Sequence, residues 1–245
     1  MHWTNSHGEL TLIRMVAVQE RVRRGPASVR LKFVMGASGL VMFLYLGLHM
    51  IGNLKIFLGA DPIDTYARWL RTVGEPAVPE ETVLWIVRVV LGLALVGHIV
   101  SAAILTRRAH RARPVKYAHR QPVQGSYAAR TMRWGGVIIA LFVVYHLLDL
   151  TTGTLNPNGV QGAVYDNVVA DFAPSRWYVT LFYTLAVVAV GVHVRHGLWS
   201  ALQTFGRSSA ATQATLKTVA LVVAVLLTAG FLSVPFAVLT GLVGS

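Results

Sequence analysis

Five of the nine histidines in this chain, His49, His98, His146, His193 and His196, fall inside long apolar runs. The stretch "LGLHMIGNLKIF" around His49 is typical: an imidazole among side chains that ask for lipid. Imidazole exchanges protons near neutral pH and binds transition metals through a neutral ring nitrogen. Neither nitrogen can go unpartnered in hydrocarbon, so each ring must face another helix, a proton path or a metal. The other four, His2, His7, His110 and His119, lie in polar segments and are expected to be solvated.

The elements that must position these rings are apolar runs of roughly twenty residues, the length that crosses a bilayer as a helix. They are Phe33 to Phe57, Val83 to Leu105, Trp134 to Leu150, Trp177 to Leu202 and Leu216 to about Leu239. The connections between them are polar and rich in Gly and Pro, and none reads as a second domain. The expectation is therefore one all-α integral membrane domain over residues 1–245, a bundle of five transmembrane helices. A composition of 54% hydrophobic and 13% charged residues agrees, being too apolar for an ordinary soluble domain. Arg14, Arg21, Arg23, Arg24 and Arg30 precede the first span with no apolar core and small-residue cleavage site among them, so no cleavable signal peptide is expected.

Charge sorts by side. Of the 22 Lys and Arg, 17 lie in the N-terminal arm, the second and fourth connections and the adjoining span ends, with only two of the ten acids. The positive-inside rule then puts the N-terminus in the cytoplasm and the C-terminus outside, in a multi-pass protein of the cytoplasmic membrane. The net charge of +12 thereby reads as topology rather than as a nucleic-acid surface. There is no cysteine, which excludes disulfides and any iron–sulfur cluster bound by this chain's own sulfurs.

Depth pairs the histidines. At 1.5 Å per residue, His49 lies about 24 Å and His146 about 18 Å along spans that start inside, so both sit in the outer half. His98 and His193 lie about 22 and 24 Å along spans that start outside, so both sit in the inner half. One histidine on each of four helices, in two pairs at two depths, is what two stacked haems b with bis-imidazole ligation require. His49, His98, His146 and His193 are thus the expected iron ligands. His196, one turn beyond His193, competes with it; the depth match favours His193 and leaves His196 near the inner surface, facing a haem propionate or a quinone oxygen. Gly36, Gly39, Gly47, Gly92, Gly97 and Gly136 either admit the macrocycle close to the backbone or serve as small residues at helix contacts.

At these residues the chain resembles the single-chain, five-helix, dihaem cytochrome b anchor subunit of succinate dehydrogenases and fumarate reductases. The segments that carry the resemblance are "KFVMGASGLVMFLYLGLHMIGNLKIFLG", "RVVLGLALVGHIVSAAILTRRAHRARPVKY", "GGVIIALFVVYHLLDLTTG" and "HVRHGLWSALQTFG", touching four of the five spans. The resemblance implies His49 and His146 on a distal haem, His98 and His193 on a proximal one, and a quinone, often menaquinone, exchanging electrons with them. It also implies a flavoprotein and an iron–sulfur subunit on the cytoplasmic side, where the run Arg107, Arg108, Arg111, Arg113 and Lys116 offers a docking surface or simple topology. Dehydrogenase catalysis would belong to those partners.

Some resembling enzymes carry a membrane glutamate two residues before the fourth-span histidine; this chain has Gly191 there. Asp149, one turn outward of His146, reads either as a quinone proton donor or as a helix-end carboxylate facing water. Arg88, at distal-haem depth, pairs with a propionate or snorkels to the headgroups. Arg30, Lys32 and Arg195 could serve the proximal haem in the same way. The competing functions are the cytochrome b of a hydrogenase or formate dehydrogenase, and a metal or proton-coupled transporter lined by the same histidines.

Overall fold

The computed structural model describes residues 6–112, 126–206 and 209–244, and the side chains of all of these except 6–26, 126–130, 210 and 211. Of the residues singled out above, the side chains of His2, His7, His119, Arg14, Arg21, Arg23, Arg24, Arg113 and Lys116 lie outside the described residues. The described chain is helical throughout: α1 (Ser6–Asn53), α2 (Ala60–Thr72), α3 (Thr82–Arg111), α4 (Ser126–His146), α5 (Val164–Asp171), α6 (Trp177–Thr204) and α7 (Ala210–Leu239). Five stretches are long and apolar enough to cross a membrane: Ala27–Leu58, Thr82–Arg111, Thr131–Thr151, Pro174–Thr204 and Thr212–Leu239. Each coincides with a span expected from hydropathy. In lipid a backbone with no water to bond must satisfy itself, and an apolar run of this length does so as a helix.

Three features depart from the sequence reading. The first helix begins at Ser6, well before the apolar run. The first long connection contains α2, and the third contains α5. Both lie at one end of the bundle and fold back onto it. Ile63 of α2 and Phe172, the residue that follows α5, are buried with Ile56, Val179, Tyr183, Val234, Ala237, Val238 and Val243 in one apolar cluster. Side chains elsewhere on the spans, Leu93, Trp134 and Leu141 among them, remain exposed, as a lipid-facing surface requires. The turn into α2 is made by Gly59, whose φ of 101° lies in the region glycine alone adopts freely.

The helices pack as α1 on α3, α6 and α7, and α6 on α4 and α7. Small residues make the closest approaches. A Cβ on Gly191 of α6 would run into Thr228 Oγ1 of α7, and one on Gly230 of α7 into Met50 Sδ of α1. Such contacts let backbones approach where no hydrophobic effect drives helix association. Ser209 caps α7, its hydroxyl accepting from Thr212 N–H at 3.3 Å.

Candidate functional site

The four span histidines meet in two pairs. His49 on α1 and His146 on α4 have ring centroids 5.9 Å apart with planes at 81°. His98 on α3 and His193 on α6 have centroids 6.1 Å apart with planes at 61°. Two imidazoles on one iron would stand about 6 Å apart, from two bonds of about 2 Å plus the distance from each nitrogen to its ring centre. Neither α1 with α4 nor α3 with α6 is among the closely packed helix pairs, so each histidine pair spans a separation that its own helices do not close.

The ring nitrogens carry further information. His98 Nδ1 lies 3.0 Å from Met35 O, with Ser38 Oγ at 3.4 Å. A carbonyl only accepts, so Nδ1 carries the proton and Nε2 keeps its lone pair. This is the arrangement that orients a metal-bound imidazole and fixes its tautomer. His146 Nδ1 lies 3.4 Å from the Tyr183 hydroxyl, again leaving Nε2 for a ligand. His193 Nδ1 is buried and has no partner within the chain. His49 stacks on Tyr45 at 5.3 Å and lies 5.9 Å from the Phe231 ring.

Glycines make room for two of these rings. A Cβ on Gly39 would lie 3.3 Å from His98 Cε1, and one on Gly136 would lie 3.9 Å from His193 Cε1. Gly47 and Gly92 meet nothing within 4 Å, whereas Gly36 faces Phe205 and Gly97 faces Val34.

His196 is not brought to His98. Its ring packs edge-on against Trp199 at 5.6 Å. The Trp199 indole donates to Gln213 Oε1 at 2.7 Å and lies 5.2 Å from the Lys217 ammonium. Arg88 is exposed and stacks over Trp85 at 4.8 Å. Arg30, Lys32 and Arg195 are exposed near the opposite end of the bundle. Arg107, Arg108 and Arg111 are exposed at that end too, Arg108 donating to Ser28 Oγ at 2.9 Å.

Asp149 does not face water; it is fully buried. After His146 the helix widens into a π turn over Leu147–Thr151, where Thr152 N–H donates to Leu147 O at 2.8 Å. Single π turns often mark functional sites in helices. Here the turn carries Asp149 to the Tyr183 hydroxyl, which donates to Asp149 Oδ2 at 2.7 Å. Tyr183, Asp171 and Arg176 were not singled out from the sequence. Depth arithmetic could have found Tyr183, since ten residues before His193 on α6 is about 15 Å, the level of the other histidine pair.

The donor set suits two haems, one between His49 and His146 and one between His98 and His193, with Nδ1 of His98 and His146 partnered within the chain and Nδ1 of His193 buried. A bare metal ion suits these residues less, because it wants three or four protein ligands, and among the described residues no three His, Asp or Glu side chains gather at one point. Compared with known protein families, with curated proteins and with solved structures, the chain finds no match.

Proposed function

We propose that this chain is a dihaem cytochrome b subunit that anchors a succinate:quinone oxidoreductase, of the succinate dehydrogenase and fumarate reductase kind, in the cytoplasmic membrane. The observation that carries the proposal is the pair of opposed histidine rings repeated at two levels, at 5.9 and 6.1 Å. His49 and His146 would hold one haem b, and His98 and His193 the other. Haem so held supplies one-electron storage in a low-dielectric interior.

The chain's own residues do the rest. The Met35 carbonyl and Ser38 hydroxyl hold the His98 ring in the tautomer that presents Nε2. The Tyr183 hydroxyl does the same for His146. Arg88 leaves a fixed positive charge near the His49 level, suited to a carboxylate. Taking the N-terminus as cytoplasmic, Arg107, Arg108 and Arg111 form part of a basic cytoplasmic face suited to an acidic surface on an iron–sulfur subunit, which a flavoprotein subunit would complete. Haems held at the two levels would supply the redox link between those partners and a membrane quinone, with menaquinone a natural candidate, in succinate oxidation or, in reverse, in fumarate reduction.

The test is reduction of the chain's b-type absorbance in membranes. Succinate should build the α band of reduced haem when the soluble partners are present. Charge reversal at Arg107, Arg108 and Arg111 should release those partners and abolish succinate reduction, while quinol still reduces the haems. Absorbance that no quinol reaches would rule the proposal out.

A further inference from the structure

Beyond the histidine pairs, the most unusual chemistry in the molecule is a pair of acids with no exposure at all. Asp149, on the π turn after α4, and Asp171, the last residue of α5, are each fully buried. One oxygen of each has a partner. Asp149 Oδ2 accepts from Tyr183 at 2.7 Å, and Asp171 Oδ1 accepts from Arg176 Nη2 at 2.9 Å. Arg176 Nε also donates to the Asp171 backbone carbonyl at 3.2 Å. The remaining oxygens, Asp149 Oδ1 and Asp171 Oδ2, are buried and accept nothing. Yet the two carboxyl groups lie within hydrogen-bonding reach of each other.

Two bare carboxylates facing one guanidinium in a dry site repel each other, and both orphan oxygens go unsatisfied. A single proton removes both difficulties. It makes one oxygen a donor and the other its acceptor, and leaves one negative charge against Arg176. The other titratable groups around the pair are Tyr145, Tyr178 and Tyr183, none of them a source of positive charge. Burial and the neighbouring Asp149 push the Asp171 carboxyl up to about 7, against the pull of Arg176.

The count of protons then determines the next link. Tyr183 owns one hydroxyl proton and gives it to Asp149. Its contact with His146 Nδ1 at 3.4 Å must therefore be one in which the tyrosine oxygen accepts and the ring N–H donates. We propose that Asp149 and Asp171 share one proton, and that this acid pair, through Tyr183, is the positioning device that holds His146 with Nδ1 protonated and Nε2 presented. The second half rests on His146 being an iron ligand; the first half does not.

Infrared spectroscopy of the purified full-length chain tests the shared proton. A protonated buried carboxyl gives a C=O stretch apart from the carboxylate bands, shifted down in D2O. Wild type should show it, and Asp171→Asn and Asp149→Asn should each lose it. Its absence from wild type, or its survival in both variants, overturns the proposal. The band is read with or without haem, so a chain that binds no haem would defeat the functional reading and leave this test intact. Tyr183→Phe, in haem-loaded protein, tests the positioning role. Losing the acceptor at Nδ1 makes His146 a weaker donor to iron, so the midpoint potential of one haem should move positive while the other stays put and both remain low-spin. If both potentials or neither move, the link through Tyr183 is wrong.

Discussion

Raising the pH should weaken this fold through Asp171, and replacing Asp171 by asparagine should remove that weakness. The folded carboxyl is raised from 3.8 to about 7, so over that interval the folded chain keeps a proton that the unfolded chain has released. Stability rises with pH only where the unfolded state binds more protons; here it binds fewer, so the Asp171 contribution is present in full below about 4 and is lost as pH climbs to about 7. One proton is worth at most about 1.4 kcal/mol per pH unit. For a chain of this size each kcal/mol moves the melting temperature by about 2–4 °C, which gives roughly 3–6 °C per pH unit as the ceiling. The assay is thermal unfolding in detergent, followed by tryptophan fluorescence, for wild type and Asp171→Asn across pH 4 to 8. Histidines and exposed carboxyls titrate alike in both proteins and cancel in the difference. The variant should gain on wild type steadily between pH 4 and 7 and no further above it. A difference that stays constant, or a wild type that gains as pH rises, refutes the raised carboxyl.

His193→Ala should convert or empty the site it shares with His98 while the other haem stays low-spin, and His196→Ala should keep both low-spin haems and change only potential or quinone turnover; low-temperature electron paramagnetic resonance separates the two. The His196 ring is three residues on, about 4.5 Å along the helix, and already committed to Trp199, whereas metal bonds tolerate displacements of only about 0.2 Å. Gly191→Glu should lower the melting temperature and the yield of folded chain, because its Cβ would strike Thr228 Oγ1 on α7. Thr228→Ala in the same chain should recover part of the loss, and no recovery would place the clash elsewhere.

The five spans were legible because hydropathy over a bilayer length leaves the backbone one solution. The histidine pairs were legible because helical rise converts sequence position into depth, and depth matched His49 with His146 and His98 with His193. The caps at the α2/α5 end were not. α2 and α5 sit between Gly and Pro residues in polar segments, and their burial comes from Ile63 and Phe172 packing on distant helix ends rather than from any local period. For the same reason Asp149 read as a candidate surface carboxylate. Its burial depends on the π turn after His146 and on the contacts α5 makes there, and a lone acid in a sequence does not announce a partner 22 residues later. The restriction at Gly191 likewise needed the facing Thr228, which only the packing of α6 on α7 supplies.

Haem content and spin state, measured together on the purified chain with its associated subunits, test the paired histidines most directly. Pyridine haemochrome assay should give close to two haems b per chain, and electron paramagnetic resonance should show two low-spin ferric signals of bis-imidazole type with no high-spin iron. A content near one, or a high-spin signal at full occupancy, would contradict the pairing of four histidines, and a content near zero would contradict the haem reading itself.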